Sequence, residues 1–350
     1  MKKDSTKKFD PNGPGIRDHL FGLPYTPENS ELVIVPIPWE ATVTYHSGTS
    51  NGPEAILKAS RQIDHGNKEI PKAWEFSLSM LPVSQKIKNE SKRVRELIIN
   101  YAKGKLTRKT EWVEDPVLTK INEACESLNV YVKSITQRLL NEGKIVGLLG
   151  GDHSTPLGFI RSLAERYPQF GILQIDAHAD LRKGYEGFTY SHASIMYNAL
   201  KLSAVEKLVQ VGIRDYCDEE LKLISQSKGR IVTFFDQDLK SAQFKGKNWD
   251  KICQEIVASL PQQVYISFDI DGLDPKLCPN TGTPVPGGVQ FDEAIYLIRK
   301  IATSGREIIG FDLNEVAPGE DDWDANVGAR VLHQLCQWTA VSNKKLKLNN

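Results

Sequence analysis

The chain has 350 residues, 40% hydrophobic and 25% charged, enough for one large α/β core or two smaller domains. Lys plus Arg and Asp plus Glu number 44 each, so no overall field draws the chain to nucleic acid, an anionic membrane surface or another polyanion, and a small-molecule partner is expected. The longest apolar runs, Leu32 to Ile37 and Ile145 to Leu149, fall far short of the ~20 residues a membrane-spanning helix requires.

In chain order, residues 1–8 carry positive charge with no apolar stretch behind them, which reads as a flexible tail and not a secretory signal. We expect an N-terminal extension over 1–30, a single domain over 31–340 and a C-terminal tail over 341–350, because no linker or internal repeat divides the chain after residue 30. β-Branched runs bounded by turn residues predict strands at Leu32–Pro36, Lys144–Leu149, Gly171–Asp176, Lys207–Gly212, Arg230–Phe234, Gln263–Phe268 and Glu307–Asp312. Helical patterns lie at Pro53–Ser60, Asp115–Glu142, Thr155–Arg166, Trp249–Leu260, Phe291–Ala302 and Ala325–Thr339. Such alternation predicts an α/β fold on a mostly parallel sheet. The Lys-, Arg- and Glu-rich segment Asn89–Glu114 reads as a solvated helix plus loop without chemistry. The five cysteines, Cys125, Cys217, Cys253, Cys278 and Cys336, are odd in number and scattered, which predicts a reducing compartment, the cytoplasm, and no thiol chemistry.

Three segments carry the chemistry: Gly150-Gly151-Asp152-His153-Ser154, Asp176-Ala177-His178-Ala179-Asp180, and Ser267-Phe268-Asp269-Ile270-Asp271-Gly272-Leu273-Asp274-Pro275. Each follows or ends a predicted strand, on the side of a parallel sheet where ligand sites gather. Four carboxylates (Asp176, Asp180, Asp269, Asp271) beside two imidazoles (His153, His178) would repel one another without cations. Oxygen mixed with nitrogen suits manganese and accepts nickel, cobalt or zinc, whereas the lack of sulfur argues against a structural zinc site. Six ligands are too many for one catalytic ion that also holds water. They fit two ions bridged by carboxylates, ~3.5–4 Å apart, which make a hydroxide at neutral pH from a shared water. Taken singly, either Asp-rich segment could be a turn with a capping carboxylate; the combination is what argues for a metal site.

These segments resemble those of the ureohydrolase family, which includes arginase and agmatinase, over about Val33 to Leu335. Pro38-Trp39-Glu40, Ser47-Gly48-Thr49, Gly282-Thr283-Pro284 and Asn314-Glu315-Val316-Ala317-Pro318 extend the resemblance. It implies a three-layer α/β/α sandwich, two manganese ions, and trimers or hexamers. It further implies His153, Asp176, Asp180 and Asp269 around one ion and Asp176, His178, Asp269 and Asp271 around the other, with Asp176 and Asp269 as bridges. His192 matches the family's proton-shuttling histidine, and Glu315 its carboxylate that pairs with the guanidinium of the substrate. Asp274, in the third motif, is expected to take the proton or to orient neighbouring groups, and Thr283 to neighbour the substrate.

The substrate is less fixed. Arg182 stands where arginases carry an Asn for the amino-acid end, which weakens an arginase reading, and the Pro-Trp-Glu segment with the Asp-Ala-His-Ala-Asp form points to agmatinase-like members. If Arg182 faces the pocket, it suits a carboxylate, as in 4-guanidinobutanoate or 3-guanidinopropionate. Formiminoglutamases also tend to carry Asp-Leu-Arg but usually lack a His at the position of His192. A pocket closed by Tyr185, Phe188, Tyr190 or Trp323 would fit free guanidine, a substrate of some nickel-dependent relatives. From other classes, a silent metal-binding relative is disfavoured because every expected ligand is present, and a zinc deacetylase because no His-His pair occurs.

Overall fold

The computed structural model describes residues 9–106 and 115–349. The expected tail at residues 1–8 and the end of the charged segment, 107–114, lie outside them. The strands are β1 (Leu32–Ile37), β2 (Leu78–Met80), β3 (Ile145–Gly150), β4 (Phe170–Ile175), β5 (Val205–Ile213), β6 (Ile231–Phe235), β7 (Gln263–Asp269) and β8 (Glu307–Asn314). They form one sheet in the order β2-β1-β3-β8-β7-β4-β5-β6, and every pair is parallel. Seven of the eight fall within two or three residues of the predicted runs. The exception, β2, is three residues of Leu-Ser-Met on the sheet edge, too short to show a period of two.

Near-continuous burial along the central strands is what a parallel sheet covered on both faces requires. Along β1, Leu32 and Ile34 join one core and Val33, Val35 and Ile37 the other. The first core is closed by α1 (Gly52–Ser60), α8 (Trp249–Ala258), α9 (Phe291–Thr303) and α10 (Trp323–Ser342). The second is closed by α2 (Gln85–Leu106), α3 (Pro116–Asn141), α4 (Leu157–Arg166) and α5 (Ile195–Ala199). The expected three-layer sandwich is thereby present. Helix α3 starts at Pro116 because the ring pre-sets the first helical φ while the Asp115 carboxylate accepts the Val117 N–H at 2.8 Å.

Helix α2 departs from its sequence reading. It begins before Asn89 and buries Ile87, Val94 and Ile98 on one stripe against α3. At about 1.5–3 kcal/mol per buried side chain, that stripe decides its placement despite the charged face. Three short helices, α5, α6 (Asp218–Gln226) and α7 (Asp236–Phe244), were not expected, being only two or three turns long or less. Residues ahead of β1 pack into the first core: Leu20, Phe21 and Leu23 are buried, with Phe21 edge-on to His333 of α10 at 4.8 Å. No helix among the described residues is long and apolar enough to cross a membrane.

Candidate metal centre and active site

Four neighbouring strands, β3, β8, β7 and β4, end at one rim. Ile175 pairs with Phe268, Phe268 with Leu313, and Asp269 with Asn314, so Asp176, Asp269 and Glu315 arrive side by side as their strands finish. His153 joins them through a tight turn, where a Cβ on Gly151 would sit 1.9 Å from the Trp39 carbonyl oxygen.

His153 Nδ1 lies 3.0 Å from Asp176 Oδ2, 3.1 Å from Asp180 Oδ2 and 3.2 Å from Asp269 Oδ2. Alongside, His178 Nδ1 is 3.0 Å from Asp271 Oδ2 and 3.6 Å from Asp176 Oδ1. Asp176 therefore faces both groups. Backbone amides aim the carboxylates: Asp269 Oδ1 accepts the Asp271 N–H, Asp271 Oδ1 the Ala177 N–H and Asp176 Oδ1 the His178 N–H, at 2.7–3.0 Å. Asp180 and Glu315 adopt left-handed backbone, at φ 54 and 64, conformations that cost energy for residues with a Cβ and cluster at functional sites.

His153 shows why a cation fits here. Its Nε2 is 2.8 Å from Ser267 Oγ, which donates to Asp312 Oδ1 at 3.0 Å, so the ring donates on that side. Nδ1 is then left facing three carboxylate oxygens with no hydrogen bond of its own. No Lys or Arg ion pair reaches Asp176, Asp180, Asp269 or Asp271 among the described residues. Buried charge so arranged demands a cation or a proton. Two donor groups, His153/Asp176/Asp269 and Asp176/His178/Asp271, each have their ligating atoms within 4.8 Å of one another, and their oxygen and nitrogen suit divalent metals. The His153–Ser267–Asp312 chain is the kind of outer support that fixes a ligating imidazole.

Without metal, the charges adjust among themselves. Burial, reinforced by the Asp176 charge, pushes the Asp180 carboxyl up to about 7. Burial together with Asp271 and Asp176 raises Asp269 well above the carboxylate range. Asp176 moves the other way, since its partners His153 and His178 outweigh its own burial. Burial would lower both imidazoles, but the carboxylates around them hold His153 and His178 well above the ordinary histidine range.

Beside this cluster, Glu315 Oε1 accepts the His153 N–H at 2.8 Å while Oε2, also buried, has no hydrogen-bond partner. Burial, then the nearby Asp152 charge, raises its carboxyl well above the usual range. His192 opens onto a cavity of about 170 Å³ lined also by Thr44, His178, Asp180, Arg182, Tyr185, Asp215, Tyr216 and Thr283. Burial of the His192 ring, aided by positive His178 and His153, pushes it down to about 3. Arg182 stacks over Tyr185 at 4.9 Å and has no carboxylate partner among the described residues. A larger cavity of about 1190 Å³ lies between α2 and α3, but no ligating cluster among the described residues lines it.

The Arginase family model matches residues 30–337. The chain belongs to the arginase family. It is 33% identical to an N(1)-aminopropylagmatine ureohydrolase of Thermus thermophilus over 300 residues, 85% of this chain and 87% of the relative. An agmatinase of Bacillus anthracis is 30% identical over 304 residues, 85% and 87% of the two chains. In structure it is similar to the agmatine ureohydrolase of Thermoplasma volcanium, with TM-score 0.70, 23% identity and coverage of 97% and 98%. As an arginase-family member the protein is a ureohydrolase, an enzyme of guanidino C–N bonds.

Within this ureohydrolase, the structure brings His153, Asp176, His178, Asp180, Asp269, Asp271, Glu315, His192, Arg182 and Thr283 to one rim and cavity. Asp274 stands apart: its carboxylate pairs with Lys276 at 3.0 Å and accepts from Gln290. Of the four aromatics considered as pocket walls, only Tyr185 lines the cavity. Phe188 is core, Tyr190 faces Arg161, and exposed Trp323 donates to the Lys276 carbonyl. Other contributors carry no motif. Gln174 donates to Asp176 Oδ2 at 2.8 Å and accepts from Gln210, which accepts from Thr233, each at 2.7 Å. Gln174, Gln210, Ser267 and Asp312 are polar residues inside otherwise apolar buried strands, and that is the signal that could have found them.

Proposed function

We propose that this ureohydrolase binds two divalent metal ions, manganese or nickel, and hydrolyses a guanidino compound of the agmatine type to urea and the corresponding amine. His153, Asp176, Asp180 and Asp269 would hold one ion, and Asp176, His178, Asp269 and Asp271 the other. When bound, such a pair lowers the pKa of a shared water and supplies a nucleophile at neutral pH. The observation that carries the reading is the free Oε2 of Glu315, a buried carboxyl oxygen beside the His/Asp cluster with no hydrogen-bond partner among the described residues, whose charged form a bound cation would favour. A planar guanidinium answers that charge and is fixed in orientation by it. His192, neutral in the free protein, carries a proton toward the departing amine. Thr283 borders the substrate chain. The reading also draws on the relatives named agmatinase and aminopropylagmatine ureohydrolase.

A second substrate reading is favoured by Arg182, a cation at the cavity with no carboxylate partner among the described residues, which suits a guanidino acid such as 4-guanidinobutanoate or 3-guanidinopropionate. Urea release from agmatine, aminopropylagmatine, 4-guanidinobutanoate, 3-guanidinopropionate and guanidine, with manganese and nickel compared, separates the two. Arg182→Ala selectively weakens the acids if they are the substrates and leaves them unaffected otherwise. Five free cysteines agree with a cytoplasmic enzyme, and family resemblance supports a homotrimer or hexamer, read directly from its mass in solution.

A further inference from the structure

Thr42 sits after β1, 150 residues from His192 in sequence and buried. Its Oγ1 accepts the His192 backbone N–H at 3.1 Å and lies 3.4 Å from His192 Nδ1. The same oxygen lies 3.4 Å from Asp152 Oδ2, which also accepts the Thr42 N–H at 3.3 Å. A hydroxyl has one proton and two acceptor positions. Asp152 Oδ2, already the acceptor of the Thr42 N–H, also accepts the hydroxyl proton, and Thr42 Oγ1 is left as the acceptor for both His192 N–H groups.

From the neighbouring layer, the Arg95 guanidinium on α2 donates to the carbonyls of Ala41 and Val43, bracketing Thr42. Arg95 belongs to the charged segment that the sequence pattern leaves without chemistry. Ser191 Oγ is also 3.3 Å from His192 Nδ1 but accepts the Ala193 N–H. His192 Nε2 has no hydrogen-bond partner among the described residues.

We propose that Thr42, oriented by Asp152 and clamped by Arg95, is a positioning residue that holds His192 as the Nδ1–H tautomer, with the Nε2 lone pair free to receive and pass the proton. The inference rests on the reading of His192 as proton carrier. In that tautomer Nε2 takes a proton released by the hydrolytic water to form the imidazolium and returns it to the nitrogen of the departing amine, so water is the only co-reactant.

The test measures urea release and metal content of the full chain, on the best substrate of the five compounds above. Thr42→Val is expected to lower kcat about 10- to 100-fold, part of the ~10²–10⁴ that a positioned proton carrier contributes, with KM and metal content unchanged. Thr42→Ser, which keeps the hydroxyl, restores kcat to within about threefold, and Arg95→Met gives a smaller loss in kcat alone. Thr42→Val adds nothing in a His192→Ala background, because residues acting through one group are not additive. Independently of turnover, ¹⁵N-histidine spectra of the zinc-loaded protein, with His192 assigned by His192→Ala, show the Nδ1–H pattern in the parent and its loss in Thr42→Val. A wild-type kcat in Thr42→Val while His192→Ala is impaired overturns the role of Thr42. So does a His192 signal that moves in Ser191→Ala but not in Thr42→Val, since Ser191 would then set the tautomer. Full activity in His192→Ala overturns the underlying reading instead.

Discussion

Replacing Glu315 with Gln separates binding of the guanidinium from integrity of the fold. The carboxylate is 4% exposed, its Oε1 accepts the His153 N–H at 2.8 Å, and its Oε2 is unpaired. A Gln of equal length keeps the first bond through its amide oxygen and replaces the free oxygen with an NH₂ group. The attraction to a guanidinium is thereby lost and two donors are set against it. Removing one member of a buried charge pair costs about 2–5 kcal/mol, which is roughly 30-fold to several thousandfold in kcat/KM. In the absence of substrate the opposite holds, because burial beside Asp152 makes the charged form of Glu315 unfavourable. The variant is therefore expected to melt above the parent at pH 8, while its metal content is unchanged. Urea release under initial-rate conditions, metal analysis and thermal melts make the comparison. A kcat/KM within threefold of the parent would refute the role given to Oε2, and a lower melting temperature would refute the claim that its charge is unfavourable.

Asp176→Ala is expected to leave both metal positions depleted and urea release undetectable, because this carboxylate faces both imidazoles; two bound ions with normal turnover would exclude it as a shared ligand. The chelated protein should lose thermal stability as pH rises from 4 to 8, because the buried carboxyls raised in the fold (Asp152, Asp180, Asp269, Asp312 and Glu315) outnumber the buried, lowered His192 and His333, whose contribution runs the other way below about pH 6.5. Asp152, Asp180 and Asp312 have folded pKa values raised by burial to about 6, 7 and 6, so their contribution is fullest below the unfolded value near 3.8 and is lost through pH 6–7. Metal loading should flatten that fall, since ions favour the ionised ligands; a chelated protein whose melting temperature rises over the same range contradicts the burial argument. For Arg182→Ala, comparison of kcat/KM on 4-guanidinobutanoate and agmatine shows whether the exposed face of this stacked cation meets a carboxylate.

Much of the His/Asp cluster could be read because β3, β4 and β7 deliver its side chains within five residues of their ends, and a strand end in an α/β sheet is where sites form. His153, Asp176 and Asp269 needed no knowledge of which strands are neighbours. The order β3-β8-β7-β4 did, and with it the placing of Glu315 against the His153 amide, 162 residues away. Thr42 and Arg95 had no local signature at all, since their importance lies in contacts made 52 to 150 residues away. Helix α2 was underread because its dense charge masks three buried aliphatics at helical spacing. Asp274 was drawn into the site by its place in a motif, whereas the turn after Gly272 carries its side chain out to Lys276.

Titrating the chelated chain with manganese or nickel, while following urea release across the five guanidino compounds, tests whether a two-ion centre cuts the guanidino C–N bond. Activity on at least one of them is expected to rise with metal and to saturate near two ions per chain. Two ions bound with no urea from any of the five, or full activity in the rigorously chelated protein, would contradict it.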